Sequence, residues 1–144
     1  MATDRRAEVR WQGTLLEGSG TIVSTTSGAI GEQAVSWPNR AEDSPSATSP
    51  EELIAAAHAA CFSMALANGL AQQGHPPQEL RTAATVTFQP GEGITRIALA
   101  VEGVVPGLDA PAFEQAAQAA KQGCPVSKAL AAVPEISLEA RLES

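Results

Sequence analysis

The stretch "SPEELIAAAHAACFSMAL", Ser49 to Leu66, decides how the rest of the chain is read. Ser49 in the N-cap position, Pro50 at the first helical position and Glu52 at the third make a capping box. The serine hydroxyl accepts a backbone N–H, the proline has none to leave unpaired, and the glutamate reaches back to the cap. A helix is predicted from Pro50 to about Gln73, closed by Gly74 and the "HPP" that follows. It is apolar nearly all round from Leu53 to Ala67, with alanine at 55, 56, 57, 59, 60, 65 and 67. A helix without a polar face is expected to be buried on every side, and so many alanines let another backbone come close. A chain of 144 residues has little else to cover it.

Upstream, "EVRWQGTL" and "GTIVSTTSG" alternate as two strands, with a third short strand near "EQAVSW", an antiparallel meander. Then "PNRAEDSPSATSP" breaks every period and reads as a loop holding Arg40. Downstream, "TAATVTFQPG" and "GITRIALAVEGVV" read as a hairpin turning at "QPGEG". Asp109 caps a second helix to about Gln122. Cys124-Pro125 opens a short third one, and "EISLEARLE" is a final strand. The order of strands, buried helix, strands, helices and strand gives an α+β class with antiparallel sheet, read as a single domain over residues 1–144.

Composition excludes several functions. A net charge of −7 and a pI near 4.7 disfavour nucleic acid and anionic membrane surfaces, which want a basic patch. No run approaches the roughly 18 consecutive apolar residues of a membrane span, and "MATDRRAEVRW" carries no apolar leader core, so the expected compartment is the cytoplasm. Two cysteines are too few for a secreted disulfide scaffold, and two histidines with them make no zinc set at usual spacing. Redox chemistry or simple packing is left for the thiols.

Read residue by residue, Cys61 looks inert. It lies about 15 Å from the positive end of its helix dipole, too far to be activated by it. Cys124 sits between Gly123 and Pro125 at a helix N-cap, where exposed N–H groups favour a thiolate, so it reads as the better-activated thiol. The two are 63 residues apart, and local sequence does not say whether they meet. His58, three residues before Cys61, opens a Cys–His reading of the hydrolase kind; a histidine satisfied by packing is the plainer one, with no Asp or Asn in reach to orient it. Arg40 is either a solvated loop cation or the fixed charge a cysteine far from a dipole needs. Asn68 and Gln72 read as surface residues.

Three motifs together, "WPNRAE", "SPEELIAAAHAACFSMAL" and "GCPVSKAL", resemble the OsmC/Ohr family of thiol peroxidases, its OsmC branch in particular, over almost the whole chain. The resemblance implies an OsmC-like fold with antiparallel sheets wrapped around the long helix, in an intertwined homodimer. It implies reduction of organic hydroperoxides, and of hydrogen peroxide more slowly, without metal, flavin or other cofactor. It puts the peroxidatic role on Cys61, the resolving role on Cys124, and the family's arginine and glutamate on Arg40 and Glu51, reversing the ranking of the thiols. A lipoyl-type or other small dithiol is the implied reductant. Two positions depart from the pattern: Ala41 stands where an aromatic is expected after the arginine, and Ser49 where the cap is often Asn.

Glu51 and Cys61 are ten residues apart, about 15 Å of helical rise and roughly 80° off a common face. A site holding Cys61, Arg40 and Glu51 is therefore expected to be composite, Cys61 and Cys124 from one chain, Arg40 and Glu51 from the other. Ile54, Ala57, Met64 and Ala65, with Phe62 adjoining, are expected to make an apolar pocket favouring bulky organic hydroperoxides. Two rival functions stay open: a Cys–His hydrolase or transferase, and a non-catalytic binder of a lipid-like ligand.

Overall fold

The computed structural model describes residues 1–42 and 46–143, in two compact units, Met1–Leu53 and Ile54–Ser144. The first unit holds β1 (Ala7–Gln12), β2 (Ser19–Thr25), β3 (Gln33–Val35), α1 (Trp37–Ala41) and the first turn of α2 (Pro50–Gln72). Its strands form an antiparallel sheet in the order β1-β2-β3. Alternation here does not produce a buried face. Every residue of β1 is exposed, and only Gly20 and Ile22 of β2 are buried.

Inside the expected loop lies α1, a helix the breakers had hidden. Ser36 caps it by accepting from Asn39 N at 3.4 Å, and Pro38 in the first turn presets the helical φ. Residues 43–45 of that expected loop lie outside the described residues. Ser49 caps α2 as expected, accepting from Glu52 N at 3.1 Å, but the Glu52 carboxylate accepts from the Thr48 hydroxyl at 2.8 Å.

The second unit holds the rest of α2, then β4 (Glu79–Gln89), β5 (Gly93–Val104), α3 (Ala110–Gly123), α4 (Pro125–Ala129) and β6 (Glu135–Leu142). Gly74 ends α2 at φ +85°, a conformation that favours glycine, with His75 N donating to Leu70 O. Asp109 caps α3 by accepting from Ala112 N at 2.8 Å. β4 and β5 pair antiparallel, whereas β6 runs parallel to β5. One pairing thus departs from the antiparallel expectation, because the connection through α3 and α4 is long enough to be a crossover.

The connected apolar core joins Phe62, Leu66 and Leu70 of α2, Leu99 and Val101 of β5, and Phe113, Ala117 and Ala120 of α3. Each large side chain removed from water is worth about 1.5–3 kcal/mol. Gly103 of β5 makes room for Phe113: a Cβ there would lie 2.6 Å from Phe113 Cζ.

The helix α2 differs from its expectation in one respect. Phe62, Leu66, Leu70 and His58 are buried, but the single chain leaves Ala56, Ala57, Ala60, Met64 and Asn68 exposed. Its composition is apolar all round while its burial is one-sided. By length and mean hydropathy of 1.5 it is also apolar enough to cross a membrane, although it contains no wholly apolar run of that length. Protein already covers the face carrying Phe62, Leu66 and Leu70.

Candidate active site

In the first unit, local capping builds a cradle for a cation. Asn39 Nδ2 donates to Ser36 Oγ at 2.7 Å, and Asn39 Oδ1 accepts from Ser46 N at 2.7 Å and Ala47 N at 3.1 Å. That one side chain thereby ties the end of α1 to the segment entering α2. Arg40, next along, donates through Nε to Glu51 Oε1 at 2.8 Å and Oε2 at 3.2 Å. Glu51 is in the first turn of α2 and only 6% exposed, so its carboxylate is a buried charge held by a fixed partner. Glu51 and Glu52, neighbours in sequence, thus do different work.

In the second unit, α2 presents Cys61 and the start of α4 presents Cys124. Both are free thiols, Cys61 half-buried and Cys124 fully buried, and each is close enough to act on the other's acidity. Burial pushes the Cys61 thiol above its ordinary range. The contact with Cys124 adds to that, and the Val126 backbone N–H opposes it. For Cys124 burial pushes upward too, but the hydrogen bonds from Cys61, from the Ser127 N–H and hydroxyl, and from the Val126 N–H together carry it below the ordinary value. Cys124 stands at the N-cap of α4, where its neighbours' N–H groups face the sulfur.

His58 lies one turn before Cys61 on α2, fully buried. Its Nε2 is 2.7 Å from the hydroxyl of Ser127, which is 8% exposed. Burial holds the imidazole below its ordinary pKa, and Nδ1 has no hydrogen-bond partner among the described residues.

The OsmC-like protein family matches residues 42–139, the span that carries both cysteines and Glu51. This chain belongs to the OsmC family. The peroxiredoxin OsmC of Escherichia coli strain K12 is 44% identical over 147 residues, covering 100% of both chains. Among solved structures, the organic hydroperoxide resistance protein OsmC of Legionella pneumophila superposes with a TM-score of 0.65 at 21% identity, covering 96% of this chain and 97% of that one. An OsmC-like protein of Mycoplasma pneumoniae gives a TM-score of 0.70 at 16% identity, covering 99% and 100%. These likenesses give the α+β class with its long helix the fold of the OsmC family.

Within this OsmC-family chain the structure groups the expected residues into two pairs, Arg40 with Glu51 and Cys61 with Cys124. It does not place Phe62 beside a substrate: the ring is fully buried in the core. Ala57 and Met64 are exposed, Ile54 and Ala65 partly so, which makes an open apolar surface in the single chain. Asn68 and Gln72 are exposed, as expected. A recess of about 300 Å³ on the second sheet, lined by Arg81, Glu102, Glu139 and Arg141 among others, holds none of the candidate residues. Residue-level reading missed Ser127. The only signal for it was its place in "CPVS", three residues after a cysteine at a helix cap.

Proposed function

We propose that the chain is a cysteine-based peroxidase that reduces organic hydroperoxides, and hydrogen peroxide more slowly, as a homodimer in the cytoplasm. The observation that carries this reading is the nearness of the free thiols Cys61 and Cys124, each acting on the other's acidity, in a chain of this family. The Escherichia coli relative is named a peroxiredoxin and the Legionella one an organic hydroperoxide resistance protein, which supports the same substrate class. The Cys61 thiolate attacks the distal peroxide oxygen, the O–O bond breaks, and an alcohol leaves with one proton, so that Cys61 becomes a sulfenic acid. Cys124 condenses with it to a disulfide and water. A lipoyl-type dithiol attacks the half-buried Cys61 sulfur, expels Cys124 and closes its own disulfide. A Cys124 pKa below the ordinary range makes it the better leaving group.

Burial works against Cys61 as a thiolate, so a cation has to reverse that. In our reading, Arg40 of a second copy supplies it, held by Glu51 of that same copy. Two observations support the shared site. The ten-residue helical separation of Glu51 and Cys61 disfavours a site from one chain. The exposed stripe of Ala56, Ala57, Ala60 and Met64 on α2 offers a second copy an apolar surface of small residues. A single catalytic domain over residues 1–144 completes the proposal. Turnover of an alkyl hydroperoxide with dihydrolipoate tests it: consumption that depends on both Cys61 and Cys124 is expected. Two thiols that stay reduced after stoichiometric peroxide would leave the ligand-binder reading, and turnover indifferent to Cys124 the hydrolase one.

A further inference from the structure

We infer that Ser127 and His58 form a buried proton relay for the resolving step, in which Cys124 attacks the Cys61 sulfenic acid. The inference deepens the peroxidase reading and rests on it. The geometry is a continuous file of polar groups inside the second unit. His58 Nε2 is 2.7 Å from Ser127 Oγ, and the Ser127 and Cys61 side chains are the neighbours that act on the Cys124 thiol. His58 is fully buried and Ser127 nearly so, and a buried imidazole costs stability that an apolar side chain there would not. Its Nδ1 has no partner among the described residues, so nothing but the Ser127 contact answers for that cost.

In the step, the electron pair of Cys124 forms the S–S bond and the Cys61 S–O bond breaks. The Ser127 hydroxyl rotor turns its proton from Cys124 to His58, and the Cys124 proton then passes to the Ser127 oxygen while the Ser127 proton passes to His58 Nε2. The hydroxide that leaves Cys61 takes the proton His58 gives back and departs as water, so the sum is thiol plus sulfenic acid to disulfide plus water and no net charge stays on His58. Cys124 is oxidised, and Cys61 goes from sulfenic acid to disulfide. Burial keeps the imidazole neutral at neutral pH and therefore able to accept, and a Cys124 pKa below the ordinary range narrows the gap the proton has to cross. Ser127 and His58 act through Cys124 and are positioning residues.

The test follows single oxidation events. Wild type, Ser127→Ala, Ser127→Thr and His58→Gln receive one equivalent of tert-butyl hydroperoxide with a 1,3-dione sulfenate probe, and intact mass reports adduct and disulfide with time. Wild type is expected to form disulfide with little adduct. Ser127→Ala and His58→Gln are expected to accumulate the Cys61 adduct and to form disulfide at least tenfold more slowly, with Ser127→Thr restoring the rate. Glutamine can keep a hydrogen bond to Ser127 through its amide oxygen yet cannot take a proton, so it satisfies a packing role and fails a relay. Wild-type disulfide rates in His58→Gln would overturn the relay, while adduct formation in the variants shows that each still folds and reacts. A wild-type protein whose thiols survive the peroxide would instead overturn the peroxidase reading.

Discussion

Arg40 and Glu51, eleven residues apart in sequence, are joined through one donor: Arg40 Nε lies 2.8 Å and 3.2 Å from the two carboxylate oxygens. The carboxylate is nearly closed to solvent while the guanidinium is about a third exposed, at 8% and 34% of their side-chain surface. A buried anion thereby aims a partly accessible cation.

Removing that cation should slow the first chemical step. Arg40→Ala is expected to reduce peroxide consumption at neutral pH at least tenfold, about 1.4 kcal/mol in the barrier, and to raise the pH at which Cys61 becomes a thiolate. Arg40→Lys should recover little of it, because an ammonium cannot reproduce the Nε contact with both oxygens of Glu51. Stopped-flow oxidation across pH 6–9 checks both, and an unchanged rate in Arg40→Ala would remove Arg40 from the mechanism.

A shared site makes a prediction no single-chain site makes. Cys61→Ser and Arg40→Ala/Glu51→Ala chains, each inactive alone, should regain activity when mixed, since a heterodimer carries one intact site. Mass spectrometry of intact dimers verifies subunit exchange. Activity that stays absent after verified exchange would refute the arrangement.

His58 makes stability depend on pH. Its folded-state pKa lies below the ordinary value, so as pH falls the unfolded chain binds the proton first. The stability is whole above about pH 6.5 and erodes below it toward the folded pKa, at up to about 1.4 kcal/mol per pH unit. Urea midpoints at pH 8 and pH 5.5 should separate more for the wild type than for His58→Gln, the difference isolating this one group from the carboxylates. Equal separations would mean the imidazole accepts its proton without unfolding.

The contact of Gly103 with Phe113 should tolerate no side chain. In Gly103→Ala the new Cβ falls 2.6–2.7 Å from the Phe113 ring and 3.2 Å from Leu80 Cδ2, an overpacking that costs about 1–3 kcal/mol. Phe113→Ala should cost about 3–5 kcal/mol by opening a cavity in the core. Combining Gly103→Ala with Phe113→Leu should recover part of the first loss. Equilibrium unfolding reads these proteins with the wild type and Phe113→Leu alone, and strictly additive losses would argue against the contact.

Elements were legible where a period ran long enough to count. The apolar run of α2 with its Ser49 cap, the alternation of β4 and β5, and the Asp109 cap of α3 all stand close to where their patterns put them. The helix α1 was hidden because five residues make no period and its proline, asparagine and neighbouring serines read equally well as a loop. The direction of β6 was hidden because alternation tells which residues face inward and nothing about the strand alongside. At the site, capping logic ranked Cys124 as the stronger acid, and the resemblance to the family reversed that ranking by giving the attacking role to Cys61. The pairing of Cys61 with Cys124 had no local signal across 63 residues, and Ser127 and His58 meet across 69. Only the fold brings such residues together.

Cys61 and Cys124 act on each other while both are free thiols, so a disulfide between them would join groups that the fold has already brought near. The two redox forms then share nearly one silhouette. A partner that recognises proteins by surface shape would be blind to which form it meets, and the oxidised state would be reported only to something small enough to reach the sulfur. Such a molecule would be suited to discharging oxidants repeatedly and poorly built to broadcast their presence.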